Sequence, residues 1–283
     1  MKLSMENYEF RTRFGDYKGA QVMKDAGFEC MDYSYYYLPD DSPILGDGYL
    51  EYARDLRAHL DSIGIQCNQA HAPFAIRYGE EFTMNNKNYR DIVRAIESAA
   101  ILGAKSIVVH AITVPLEKKD TVTEYAYEFY KTLEPYCAKA GIRIAVENLF
   151  SRDTKRNCYY SRLGDPKVLC DFIRSLNSPW FVACVDVGHA ALMGYEPEDF
   201  IRAMDGQLLQ ALHIQDGDYI HDSHTLPFLG QYNWAAIIAA LREKNYQGEL
   251  TFETLHFSDR FPDALLPDAM RLAERTGRYI LSL

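Results

Sequence analysis

The chain has no C-x-x-C pair, no run of eighteen apolar residues and no G-x-G-x-x-G turn, and each absence removes a class of protein. Without paired thiols, a thiolate zinc site loses its usual signature. The six cysteines, at 30, 67, 137, 158, 170 and 184, read as small buried hydrophobes in a reducing compartment and not as a disulfide frame. Without a long apolar run there is no candidate membrane span. Met1 to Phe10 holds no apolar stretch that would serve as a signal peptide, so the expected location is the cytoplasm. Without a glycine-rich first turn, an open doubly wound nucleotide-binding sheet is disfavoured. Positive charge is also short. Thirty Lys and Arg against forty Asp and Glu leave a net charge of −10, which argues against a nucleic-acid backbone as the usual partner.

What is present is a rhythm. Short apolar runs predict strands at Lys2–Glu6, Glu29–Tyr33, Ile65–His71, Ser106–His110, Ile142–Glu147, Phe181–Asp186, Leu208–His213 and Glu249–Glu253. Runs such as Ile107-Val108-Val109 are β-branched and nearly continuous, as strands buried on both faces require. Between them the period becomes helical. Tyr89, Ile92, Val93, Ile96 and Ala100 share one face of 85–104, and Tyr125, Ala126, Phe129, Leu133, Tyr136 and Cys137 share one face of 120–140. Asp165-Pro166 reads as a helix start, and Gly27, Gly64, Gly103 and Gly141 fall where helices should hand over to strands. Eight strand–helix units in 283 residues predict an α/β fold, a single-domain (β/α)8 TIM barrel over 1–283.

The chemistry lies at the strand ends. The predicted strands three to eight end on His71, His110, Glu147, Asp186, His213 and Glu253, with His189 just after the sixth and Asp222 and His224 on the loop after the seventh. In a barrel all these ends open on one face. Imidazole and carboxylate are the ligands of zinc, manganese, cobalt and magnesium, and ionised groups capping apolar strands are costly without a partner. Of eight histidines, five (71, 110, 189, 213 and 224) stand at strand ends or just beyond. His59, His221 and His256 read as a solvated helix residue and two loop residues.

Val146-Glu147-Asn148, Cys184 to Ala190, and His213 through Asp222-Ser223-His224 to Trp234 resemble the xylose isomerase-like barrel superfamily, which holds sugar isomerases and epimerases as well as the endonuclease IV family. The resemblance covers nearly the whole chain. Its sugar branch implies one metal held by Glu147, Asp186, His213 and Glu253. There Glu147 and Glu253 exchange protons with opposite faces of the substrate carbon through a metal-stabilised enediolate. His189, Asp153 and Trp234 are implied as substrate contacts, and the partner as a small carbohydrate. The nuclease branch implies up to three ions, with His71, His110, His189, Asp222 and His224 as additional ligands and abasic-site DNA as substrate. A lyase or dehydratase acting on an inosose or an oxidised glycoside begins with the same proton abstraction. The resemblance admits a homo-oligomer, for which no motif in the chain speaks.

Acidity favours the sugar branch. So do the loops 33–47 and 72–86, which carry Arg77 as their one cation and are rich in tyrosine, at 33, 35, 36, 37 and 78. Such rings suit the apolar faces of sugars, or packing at the barrel rim. Two departures stand out. Phe228 replaces the first glycine of the Pro-Gly-x-Gly turn, and Ile214 to His221 lacks the arginine that keto-sugar epimerases place there. Arg152 reads as a solvated loop residue.

Overall fold

The computed structural model describes residues 1–283 except 75, 113 and 115. In chain order the strands are β1 (Leu3–Glu6), β2 (Cys30–Ser34), β3 (Gln66–His71), β4 (Ser106–Val108), β5 (Arg143–Glu147), β6 (Ser151–Asp153), β7 (Cys158–Tyr160), β8 (Phe181–Asp186), β9 (Leu209–His213) and β10 (Leu250–Phe252). The helices are α1 (Tyr8–Ala26), α2 (Tyr49–Ile63), α3 (Lys87–Leu102), α4 (Val122–Ala140), α5 (Pro166–Ser175), α6 (Val187–Leu192), α7 (Pro197–Ala203), α8 (Trp234–Glu243), α9 (Leu255–Ser258) and α10 (Leu266–Ser282). The sheet runs β10-β1-β2-β3-β4-β5-β8-β9, every pair parallel. A parallel bridge between Ile214 and Phe252 closes it into the expected barrel. No helix among the described residues is long and apolar enough to cross a membrane.

Every expected strand forms, with ends moved by two residues at most. The stop signals act as read: Gly27, Gly64, Gly103 and Gly141 all take left-handed conformations at helix C-termini, where a side chain would be strained. Asp165 caps α5 by accepting from Val168 N, with Pro166 in the first turn. Two features went unread. The antiparallel β6–β7 hairpin rises between β5 and α5, and α6 begins directly at the end of β8. One cysteine also departs from expectation: Cys158 is exposed on that hairpin, and the other five are buried and free.

The two-residue period of the strands builds the site. The main core lies between the outer face of the barrel and the helices. A second, smaller cluster of Val108, Ala145, Val182, Cys184 and Ala211 fills one side of the barrel interior. Two residues further along the same strands come His110, Glu147, Asp186 and His213, so the residue parity that puts small apolar groups inside puts the polar ends above them. The opposite side of the interior is polar: Ser4, Glu6, Asp32, Gln69 and Thr251 are all buried there.

Candidate metal centre

At the top of this interior, ligand atoms of Glu147, Asp186, His213 and Glu253 lie within 4.8 Å of one another, all four residues buried. His213 Nδ1 is 2.7 Å from Glu147 Oε1 and 3.3 Å from Glu253 Oε2. Its other nitrogen, Nε2, stands 3.5 Å from Asp32 Oδ2, which accepts from the Gln69 amide at 2.6 Å. A carboxylate behind a ligating imidazole fixes the ring and strengthens it as a donor. Asn148 staples β5 to β8, donating to the Asp186 carbonyl at 2.9 Å and accepting from Asp186 N at 2.7 Å. Gln215 donates to both carboxylate oxygens of Asp186, at 3.2 and 3.1 Å, and accepts from His224 N at 2.8 Å. Gly188 makes room for that amide, since a Cβ there would lie 2.5 Å from Gln215 Cδ.

Two further groups flank this centre. His71, His110 and Glu147 form one. His110 Nε2 is 2.7 Å from Glu147 Oε2 and 3.1 Å from His71 Nε2. With Nδ1 donating to the Ala72 carbonyl at 2.8 Å, His71 turns a bare Nε2 lone pair inward. His189, Asp222 and His224 form the other. Asp222 Oδ1 lies 3.2 Å from His224 Nε2 and 3.8 Å from His189 Nε2.

Burial and neighbouring charge compete at each group. Burial pushes the Glu253 carboxyl well above the usual range, and His213 and His224 only partly offset it. Burial acts on Glu147 in the same direction, but His213 and His110 outweigh it and hold that carboxyl well below its ordinary value. Burial opposes charge on His213 too, yet Cys184, Glu253 and Glu147 around it raise it well above the usual imidazole. His71 is driven well below by burial and by His110. Asp222, partly desolvated at the cavity, is lowered to about 2 by His224, and His224 is raised to about 10 against its burial by Asp222 and Glu253.

This donor set fits a divalent cation. Three buried carboxylates face one central imidazole, and enclosed negative charge of that kind is costly unless a cation or a proton neutralises it. Oxygen and imidazole nitrogen are the donors that zinc, manganese, cobalt and magnesium take.

The groups open into a cavity of about 440 Å³ whose floor includes Glu147, His110, His189, Asp222, His224 and Glu253. Tyr8, Tyr37, Phe74 and Phe150 wall it, and among the described residues no lysine or arginine lines it. Of the tyrosines expected at the rim only Tyr37 reaches the wall. Tyr33, Tyr35 and Tyr36 are packed inside, with Tyr36 stacked on Phe74, and Tyr78 bonds Tyr125. Asp153 and Trp234 are not brought to the cavity. Asp153 is held by Arg156 and by the Lys155 and Arg156 amides of the hairpin turn. Trp234 is buried, its indole donating to Asp216 at 2.9 Å. Arg152 bonds Asn157 within the same hairpin. His256, read as a plain loop residue, lines the cavity. The sequence reading also missed Asp32, Asn148, Gln215, Phe74 and Phe150. For Gln215 a signal existed, because it lies two residues past His213 and so on the same face.

A family model described as the xylose isomerase-like TIM barrel matches residues 20–276. The chain belongs to that family. An uncharacterised protein of Sinorhizobium fredii is 27% identical over 263 residues, covering 82% of this chain and 79% of its own length. Among solved structures, a D-tagatose 3-epimerase-like protein is similar over 100% of this chain and 97% of its own, with TM-score 0.76 and 17% identity. The 3-keto-D-glucoside 4-epimerase of E. coli is similar over 97% and 99%, with TM-score 0.73 and 18% identity. The IOLI protein, whose structure carries a zinc atom, is similar over 100% and 98%, with TM-score 0.73 and 16% identity. At these identities the likeness establishes the fold.

Proposed function

We propose that the protein is a divalent-metal-dependent isomerase or epimerase of a small sugar, keto-sugar or related polyol. The observation that carries this is the opposite bias of two carboxyls in one ligand group. Glu147 is biased below the ordinary carboxylate range by His213 and His110, and Glu253 above it by burial, with both buried and both within reach of His213. Carboxyls pushed apart in this way divide into base and acid. A bound ion at Glu147, Asp186, His213 and Glu253 would polarise a carbonyl and its neighbouring hydroxyl and so acidify the C–H bond beside them. Glu147 takes that proton, and Glu253 returns one to the carbon from the other side, which inverts the centre or moves the carbonyl. His189 suits a hydroxyl contact, because its Nδ1 is buried at the cavity wall without a hydrogen-bond partner. The named sugar epimerases of the same fold support the substrate class.

The test is solvent exchange. Pentuloses, hexuloses, inososes and oxidised glycosides are incubated in deuterium oxide with manganese, cobalt or zinc and followed by NMR. Deuterium should enter the carbon beside the carbonyl with the wild type, and Glu147→Gln or Glu253→Gln should slow entry by about 10²–10⁴-fold. Exchange that survives in both variants would sink the two-carboxylate reading. A product lacking the elements of water would instead mark a dehydratase.

One observation favours a second reading, endonuclease IV-type phosphodiester cleavage. The two flanking triads add ligand types beyond what one ion needs. Against it stands a cavity wall without a cation to meet phosphates. Metal analysis separates the two, with about one ion per chain for the sugar enzyme and two or three for the nuclease. Nicking of an abasic-site duplex would decide for the latter.

A further inference from the structure

The metal-bearing cavity does not end at its own rim. His256 and Asp259 line it and also line a second hollow of about 610 Å³, whose remaining walls are Phe257, Arg260 and Phe261. The first cavity alone is already within the roughly 300–1,000 Å³ of a small-molecule site. The second is therefore surplus to a single sugar ring.

Its walls have a definite chemistry. Phe257 and Phe261 pack against each other with centroids 5.8 Å apart. His256 Nδ1 lies 3.5 Å from Asp259 Oδ2, which sets an imidazole and a carboxylate side by side at the junction. Aromatic rings take the apolar face of a cyclic group, and the imidazole, carboxylate and guanidinium take its hydroxyl edge. The junction is also built rigidly. Arg13 of α1 donates to the carbonyls of Ser258 and Asp259, each at 2.9 Å, to that of Phe261, and through Nε to Glu9 at 2.8 Å. His256 N bonds the His224 carbonyl at 3.1 Å, which ties the loop to the metal-ligand groups themselves. A backbone fixed in this way leaves only side chains to order when a ligand arrives.

We propose that this hollow is a second subsite, for the ring joined to the reacting sugar, so that the substrate is a glycoside and not a free monosaccharide. The proposal rests on the sugar reading of the metal-bearing cavity. The reacting ring sits over Glu147 and Glu253, its glycosidic bond passes His256 and Asp259, and the second ring lies against Phe261 and Arg260.

The test is calorimetric titration of the zinc-loaded full chain with D-glucose and D-fructose, with maltose, cellobiose, trehalose and sucrose, and with D-glucose 6-phosphate. At least one disaccharide should bind about tenfold more tightly than its monosaccharides, the gain of one aromatic contact. Phe261→Ala and Arg260→Ala should each remove that preference and leave monosaccharide binding unchanged. If monosaccharides bind and no disaccharide gains, or if the gain survives both substitutions, the subsite is refuted and the sugar reading stands. A preference for the phosphosugar lost only with Arg260→Ala makes the hollow an anion site and refutes it equally. If no sugar binds, the sugar reading falls and the subsite with it.

Discussion

Glu6 closes β1 with its side chain enclosed in the polar half of the barrel interior. Oε2 accepts from Tyr8 N at 2.6 Å and from the Ser34 and Tyr36 hydroxyls at 3.3 Å, whereas Oε1 has no partner. Burial raises this carboxyl to about 7, against the stabilising Tyr8 amide and with help from Asp32 and Glu9. The folded protein thus holds the proton more tightly than the unfolded chain, so stability is full below about 4.5 and falls as pH rises to about 7. A shift of that size corresponds to about 3 kcal/mol. Glu6→Gln keeps a carbonyl acceptor and carries no charge, so urea unfolding between pH 4.5 and 8 should show a shallower loss of stability in the variant. Identical pH slopes for the two proteins would rule this out. Nothing in Ser4-Met5-Glu6-Asn7 singles out such a group, because its environment comes from β2 and the loop after it.

Local signals govern elements where they are short-range and strong. Asp165 illustrates this: Oδ1 caps α5 through Val168 N at 2.9 Å, while Oδ2 accepts from the Tyr195 hydroxyl at 2.9 Å. Asp165→Ala should cost about 1–2 kcal/mol, read as a lowered urea midpoint, and Asp165→Asn should recover most of it. Equal losses in both variants would mean that charge, not capping, is what Asp165 supplies. The β6–β7 hairpin was not legible for the opposite reason. Its strands are three residues each, too short for a period of two to show. They are fastened by contacts distant in sequence, Phe150 against His189 and the Tyr159 hydroxyl on the Ile220 carbonyl. The six-residue α6 likewise offers too few turns for a helical period, and its start depends on Asp186 accepting from His189 N at 2.7 Å.

For the molecule as a whole, the barrel gathers like charge into its centre, and a cation should steady the fold. Treatment with chelator should lower the melting temperature, and zinc or manganese at a hundred times its dissociation constant should restore about 2.7 kcal/mol. Asp186→Asn removes the negative charge and one of the two carboxylate oxygens to which Gln215 donates, so the metal-dependent increment should largely vanish. An increment unchanged in that variant would place the ion elsewhere.

The strand–helix rhythm, the stops at Gly27, Gly64, Gly103 and Gly141, and the imidazole and carboxylate types at the strand ends were set by the sequence itself. Periodicity and turn chemistry act within a few residues, so they can be read along the chain. The grouping of nine such residues and Cys184 into four ligand sets, three of them meeting at Glu147, needed the closed barrel, because it depends on distances between strands far apart in sequence. So did the opposite biases of Glu147 and Glu253, two residues of one type separated only by their surroundings. Trp234 turned into the protein towards Asp216 and His256 turned to the cavity for the same reason: a side chain's neighbours are chosen by packing across the fold.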